Sequence, residues 1–471
     1  MSKQIPVQDV TPPAKGDTNN NDLYAKREKI YTRAFTGIFR RLRMVGGAAL
    51  FLLYFGTVWL NWSGRQAVWW DLPERKFYIF GATFWPQDFM LLSWLLIVCA
   101  FGLFFITVFA GRVWCGYTCP QSVWTWIYMW CEKVTEGDRN QRIKLDKAPM
   151  SGNKLLRKTA KHSLWLLIGL VTGLTFVGYF SPIRELIPEL LTGQADGWAY
   201  FWVSFFTLAT YGNAGWLREQ VCIYMCPYAR FQSVMFDKDT LIVSYDPRRG
   251  EKRGPRKKSL DYKAQGLGDC IDCTMCVQVC PTGIDIRDGL QIECIGCAAC
   301  IDACDSIMEK MNYPKGLISY TTEHNLNSQK THLARPRLIG YAIALVLMIS
   351  ALITAVVLRP LVGFDVSKDR VLYRENELGR IENVYSLKIM NKDQQDHTYI
   401  LGAKGLEGLT LEGRRELKVA AGDILNLPME LSIEPEKLPS TTNEIVFTIE
   451  SADDPSIHKE AKSRFIGPRT R

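Results

Sequence analysis

Apolar residues fall into five blocks along this chain, at about 44–60, 89–110, 162–180, 197–217 and 338–358. Each approaches the roughly 20 apolar residues that a helix needs to cross a bilayer, so the pattern predicts five transmembrane helices. Between the fourth and fifth blocks, 218–337 is polar enough to fold outside the membrane. After the last block the period changes: NVYSLKIMN, TYILGAKG, RELKVAAG and NEIVFTIES are alternating runs separated by Gly, Asp, Asn and Pro. These predict a small immunoglobulin-like β-sandwich. Residues 1 to about 22 have almost no large apolar side chain to offset the entropy of ordering, and a disordered tail is expected there.

Charge gives the blocks a direction. The run YAKREKIYTRAFTGIFRRLR precedes the first block, and Arg112, Lys133, Arg139, Arg142, Lys144, Lys147, Lys154, Arg157, Lys158 and Lys161 lie between the second and third. The loop between the third and fourth carries only Arg184, beside Glu185 and Glu189. Cytoplasmic flanks of membrane helices collect Lys and Arg, so the N-terminus and 218–337, with its RRGEKRGPRKK run, are expected in the cytoplasm. An odd number of spans then puts the C-terminal sandwich in a periplasm. No cleavable signal is apparent before the first block. The net charge of +9 is accounted for by these flanks, which makes membrane lipid the expected partner and nucleic acid an unexpected one. The predicted organisation is a tail (1–43), four spans (44–217), a cytoplasmic α+β domain (218–337), a fifth span (338–358) and the sandwich (359–471).

The chemistry lies in 14 cysteines. Eight follow one pattern written twice: Cys270-x2-Cys273-x2-Cys276-x3-Cys280-Pro281 and Cys294-x2-Cys297-x2-Cys300-x3-Cys304. In two-cluster ferredoxins the first three thiolates of such a run hold one [4Fe-4S] cluster and the fourth reaches across to the other. Cys270, Cys273, Cys276 and Cys304 are thus expected to hold one cluster, and Cys294, Cys297, Cys300 and Cys280 the second, giving a two-cluster ferredoxin-like domain. Zinc sites need no such crossing member, and disulfides suit an oxidising compartment. Cys304 is followed by Asp305 where bacterial ferredoxins usually have proline, so an altered local backbone is expected there.

Four more cysteines form a second repeat, WCGYTCPQSVW and VCIYMCPYARFQSV, each a Cys-x3-Cys-Pro beside an even-numbered span. In a helix, that spacing puts Cys115 with Cys119, and Cys222 with Cys226, on one face, and the proline would end or kink the helix just beyond. Two such pairs packed together could make a four-thiolate site for Cu(I), zinc or an iron-sulfur cluster, or a redox-active dithiol. Alternatively they are buried cysteines acting as small hydrophobes. Cys99 and Cys131 are expected to be structural, and Met129 and Met225 to pack. Only His162 lies even at a span border, so paired axial ligands for b-type haem are missing, and no Cys-x2-Cys-His occurs for covalent haem. His397 and His458 are expected on the surface of the sandwich. No dinucleotide fingerprint names the electron donor.

The strings DLPERKFYIFGATFWPQDF, GRVWCGYTCPQ, CIYMCPYARFQSVMFDKDTLIVSYDPRRGE and RFIGP, with the twin Cys-x3-Cys-Pro and the doubled ferredoxin motif, resemble the FixG/CcoG (RdxA) polyferredoxins over about residues 30–468. This resemblance implies a bacterial inner-membrane accessory protein that reduces Cu(II) to Cu(I) for the copper centre of a cbb3-type cytochrome c oxidase. Carried over, the eight ferredoxin cysteines relay electrons from an unidentified cytoplasmic donor, and Cys115, Cys119, Cys222 and Cys226 form the copper or redox site. Implied partners are oxidase assembly factors or copper chaperones, and a second copy of the chain in a homodimer. Two other readings remain open: a quinol-linked subunit of a periplasmic reductase system, and a non-enzymatic assembly scaffold.

Overall fold

The computed structural model describes residues 29–258 and 261–468; the tail expected at 1 to about 22 lies outside the described residues. The helices that frame the cysteines are α1 (Ile38–Thr57), α2 (Phe89–Ala110), α3 (Val113–Tyr117), α4 (Pro120–Glu136), α5 (Gly152–Gly178), α6 (Gly197–Thr210), α7 (Pro227–Met235), α8 (Ala299–Met311) and α9 (Pro336–Val357).

Among the described residues, three helices are long and apolar enough to cross a membrane: Pro86–Ala110, Gly152–Gly178 and Pro336–Val357. Leu92, Leu96, Ile343 and Val346 stand exposed on the first and last of these, an apolar surface of the kind that lipid covers. The two remaining apolar blocks are helical but differ from a simple span. Helix α1 opens with Arg40, Arg41 and Arg43. The fourth block leaves α-helical geometry at Thr210 and continues as a π-helical turn over Tyr211–Leu217, the kind of local widening that frequently marks a functional site. Helices α5 and α6 approach closely because Gly169 and Gly173 face α6. A Cβ at these positions would lie 2.9 Å from the Thr207 carbonyl oxygen and 2.8 Å from that of Val203, and small residues are what allow such backbone contact.

Between α7 and α9 the strands Ile242–Tyr245 and Ile318–Thr321 pair antiparallel and bracket both cysteine runs. Buried Val243, Tyr245, Ile286, Ile301, Met308 and Ile318 pack with Cys270 and Cys276 in one core. The C-terminal unit is a sandwich of two antiparallel sheets. One runs Thr410–Glu412, Ile424–Ile433, Ile381–Asn391, Val362–Lys368, with Arg374–Glu375 paired to Ile381–Asn391; the other runs Glu416–Val419, His397–Lys404, Thr442–Ser451, His458–Ile466. Alternate residues Tyr385, Leu387, Ile389, Ile445, Phe447 and Ile449 meet between them. Asp88, just before α2, accepts ion pairs from Arg359 and Lys392, each at 2.8 Å, and so ties the sandwich to the membrane helices. The surface placement expected of His397 is incorrect. Its ring is buried, with Nε2 2.8 Å from Asp393 Oδ2 and Nδ1 3.4 Å from Ser451 Oγ. It sits on an inward-facing strand position, which a polar residue type does not reveal when a carboxylate partner arrives from the preceding turn. His458 is exposed.

Candidate metal and electron-transfer site

The two ferredoxin runs use one backbone device twice. Asp272 and Thr274 flank Cys273 at φ 55°, and Gly296 and Ala298 flank Cys297 at φ 64° and 57°. L-residues avoid this left-handed region unless the surroundings hold them there. The chain curls at each pair so that successive thiols face one hollow, and a helix starts at once. Cys276 therefore lies in the first turn of Met275–Gln278 and Cys300 in the first turn of α8.

The curling produces two small cavities. Cys270, Cys273, Cys276 and Cys304 line one. Cys280, Cys294, Cys297 and Cys300 line the other, with Cys276 on the wall between. The fourth thiol of each run is thus in the hollow made by the other run. The remaining walls are mostly apolar, with Ile307, Leu317 and Ile318 beside Thr274 and Arg287 around the first and Val243, Ile284 and Ile295 beside Thr282 around the second. Burial pushes the Cys276 thiol up to about 12, and burial together with neighbouring Cys297 and Cys280 does the same to Cys294. Four such thiols become thiolates together only around a cationic centre, whose binding releases their protons. Donor type, number and enclosure all fit one [4Fe-4S] cluster per cavity. The non-proline residue after Cys304 also has a reason: α8 continues to Met311, and Asp305 Oδ1 accepts the Gly316 N-H at 2.9 Å. Cys280-Pro281, by contrast, lies beyond the end of its four-residue helix.

The second cysteine system gathers at helix starts. Cys119 caps α4 and Cys226 caps α7, and Pro120 and Pro227 occupy the first helical turn. Proline thus begins each helix and does not end one, contrary to the expectation from spacing. A fixed φ and a missing N-H are compatible with the first turn. Cys115 lies on α3 and Cys222 on a π-helical turn, Val221–Met225, so neither pair shares one continuous helix face. The two segments still meet: Cys115 and Cys222 pack on one core, and Cys119 and Cys226 lie near enough for their charge to bear on both thiols. Burial, then these neighbours, push Cys115 and Cys222 up to about 12. Cys115 Sγ donates to Oε1 of fully buried Gln232 at 3.3 Å. Of the remaining sulfur residues, Cys131 is buried in a core with Tyr128 and Trp165, Cys99 is exposed on α2, Met129 accepts from Thr32 Oγ1 at 3.4 Å, and Met225 is exposed.

The two systems touch. Cys115, Cys222 and Trp126 pack against a core that contains Cys297, Ile295 and Ala299. Cys222 also shares a small hollow with Pro281, Thr282 and Ile295. Gly116 allows the close approach: a Cβ there would come within 2.8 Å of the Cys297 Cα and the Gly296 carbonyl oxygen. Two buried arginines fasten the contact. Arg112 donates to the carbonyls of Ile292, Cys294 and Ala229, and Arg43 donates to the carbonyl of Cys297 while lying 4.1 Å from the Trp126 ring. Behind the thiols, buried Glu132 pairs with Arg142 and Arg218, each at 2.5 Å. In sequence, Arg112 and Arg142 count only as cytoplasmic charge. The available signal was that each Cys-x3-Cys-Pro follows an arginine by a few residues, Arg112 in GRVWC and Arg218 in LREQVC. Nothing local marks Gly116, Gln232 or Glu132.

Residues 217–323 match a family model described as "4Fe-4S dicluster domain". With the paired cavities and three apolar helices, this defines a membrane iron-sulfur electron-transfer protein. Residues 352–468 match a model described as "IG-like fold at C-terminal of FixG". The chain is similar to Protein RdxB of Cereibacter sphaeroides, 40% identical over 84% of this chain and 87% of that one. It is similar to nitrogen fixation protein FixG of Rhizobium meliloti, 41% identical over 64% of this chain and 58% of that one. Protein RdxA of Cereibacter sphaeroides is 39% identical over 84% and 87%. A crystal structure of a FixG-related protein from Vibrio parahaemolyticus is 37% identical over 22% of this chain and 95% of its own, with a TM-score of 0.21. The chain belongs to the FixG/RdxA family.

Proposed function

We propose that this protein reduces Cu(II) to Cu(I) at Cys115, Cys119, Cys222 and Cys226, drawing single electrons from a cytoplasmic donor, and that the product serves the copper centre of a cbb3-type cytochrome c oxidase. The observation that carries this reading is the packing of Cys115 and Cys222 directly on the Cys297 core. Cys270, Cys273, Cys276 and Cys304 would hold one [4Fe-4S] cluster, and Cys280, Cys294, Cys297 and Cys300 the other. When bound, the clusters supply one-electron storage and transfer. Gly116 keeps the backbone of the first Cys-x3-Cys-Pro against Cys297, and Arg112 holds the loop of Cys294 on α7. Thiolates are soft ligands that favour Cu(I), so the quartet binds the reduced ion better than the substrate ion. One electron per Cu(II) completes the reduction, and the thiol protons leave to solvent when the ion binds.

In this reading α1, α2, α5, α6 and α9 are five spans of a bacterial inner membrane. The clusters face the cytoplasm, and the sandwich faces the periplasm, where it docks an oxidase assembly factor or copper chaperone. Purified protein with reduced clusters is expected to convert Cu(II) to Cu(I). Replacing the four quartet cysteines by Ser should abolish this while both clusters persist; retained activity would remove the quartet from the site. A second reading, quinol oxidation, is favoured by a cavity of about 450 Å³ between α1 and α4, lined by Phe35, Arg40, Phe51, Trp126 and Trp130. Phe35 belongs to the same core as Cys297. Reduction of the clusters by a quinol analogue would establish that route.

A further inference from the structure

Away from the cysteines, a separate set of ligand-type side chains converges where α2 and α9 meet the cluster domain. Asp239 lies three residues before Ile242 and His324 three residues after Thr321. Ile242 and Thr321 are register partners of the antiparallel pair, so strand pairing itself brings the two side chains face to face. Asp239 Oδ1 lies 2.7 Å from His324 Nδ1. The third member, His332, arrives from the segment leading into α9. Its Nδ1 lies 3.6 Å from the same carboxylate oxygen, and its ring centroid is 5.6 Å from that of His324 with the planes at 86°. All three ligand atoms lie within 4.8 Å of one another. Donor atoms bound to one small metal ion at about 2.0–2.1 Å are separated by roughly 3 Å, so small side-chain rotations suffice to close the set.

The supporting backbone is held from several sides. Thr240 Oγ1 donates to the Val108 carbonyl, the Leu241 N-H to the Phe109 carbonyl, and Arg335 to Asp237 and to the Val108 carbonyl. The His332 N-H donates to Asp239 Oδ1 at 2.8 Å. Access is open on one side, since the His332 side chain is 67% exposed while those of His324 and Asp239 are 20% and 13% exposed. Two of the chain's five histidines thus meet one carboxylate on a braced frame.

We propose that Asp239, His324 and His332 form a binding site for a divalent first-row transition-metal ion. Two imidazoles and one carboxylate suit Cu(II), Zn(II) or Ni(II), and Cu(II) is held most tightly by the usual order of divalent affinities. The site contrasts with the thiolate quartet, whose soft donors favour Cu(I). It stands whether or not the quartet reduces copper.

The test uses tag-free, full-length protein in detergent with Cys99, Cys115, Cys119, Cys222 and Cys226 changed to Ser, so that neither the quartet nor the exposed Cys99 thiol binds or reduces the probe. With the clusters oxidised, one equivalent of Cu(II) should give an EPR signal with coupling to two imidazole nitrogens. Even the loss of an outer-shell partner typically lowers metal affinity about 10- to 100-fold, so His332→Ala and His324→Ala should each weaken Cu(II) binding by at least about tenfold and remove one nitrogen coupling. Zn(II) should compete for the site. Retained cluster absorbance checks folding, and the exposed His332 decides the matter if the His324 variant fails to fold. A Cu(II) affinity and spectrum unchanged by His332→Ala, or the absence of a two-nitrogen Cu(II) signal, would overturn the proposal.

Discussion

The chain contains two doubled cysteine motifs, and they are built in opposite ways. In the ferredoxin runs the ligands are close in sequence, and the backbone does the aiming, through left-handed residues on either side of Cys273 and Cys297. Each run lacks only its fourth thiol, which the other supplies. In the Cys-x3-Cys-Pro pairs, no local curl encloses the thiols. Cys119 and Cys226 stand at the starts of α4 and α7, Cys115 on α3 and Cys222 on a π-helical turn, and they meet only because these elements are packed together. A site enclosed by its own loop depends on a short segment, whereas a site assembled from separate helices depends on everything that holds the helices in place.

Changes that separate these two designs are expected to act in the following order. Cys300→Ser removes a ligand from the second cavity only; iron should fall from about eight to about four per chain, measured by metal analysis, with the first cluster's EPR signal retained. A loss of both clusters would show that the two cavities do not form independently. Glu132→Ala leaves Arg142 and Arg218 buried without their partner and should destabilise the protein by about 3–5 kcal/mol, read as a lowered unfolding midpoint in detergent. If the thiol quartet were enclosed locally, thermal exposure of its thiols would not shift in parallel. Gly116→Val pushes the first Cys-x3-Cys-Pro off Cys297. Both clusters should remain, but, in the proposed copper-reducing reading, electron passage to copper should slow on the order of tenfold or more, because small displacements are costly in such contacts; stopped-flow oxidation of reduced clusters by Cu(II) measures this. Gln232→Leu removes the acceptor of the Cys115 thiol, a loss of about 1 kcal/mol, expected as a small change in affinity for copper at the proposed quartet with unchanged cluster content.

The readable parts of the chain are those where cause and effect lie within a few residues. Spacing alone pointed to the doubled ferredoxin motif, and alternation in 381–391 or 442–451 marked strands that do form the sandwich. Apolar length identified α2, α5 and α9. Elsewhere the outcome depended on distant partners. Pro120 and Pro227 start helices because the chain turns before them. The fourth apolar block widens into a π-turn at Tyr211, beside Gly215, where a Cβ would come within 2.9 Å of the Trp165 ring. His397 is buried because Asp393 and Ser451 reach it.

By itself the sequence determined that this protein holds paired iron-sulfur sites, apolar helices and a β-sandwich, because ligand spacing and hydrophobic period act over one turn or one strand. Tertiary structure decided that the two Cys-x3-Cys-Pro segments come together, that Cys115 and Cys222 pack on the core of Cys297 with Gly116 against its backbone, and that Asp239, His324 and His332 meet. Those contacts arise from the packing of segments far apart in the chain, and no local pattern encodes which helix start or strand end will face which.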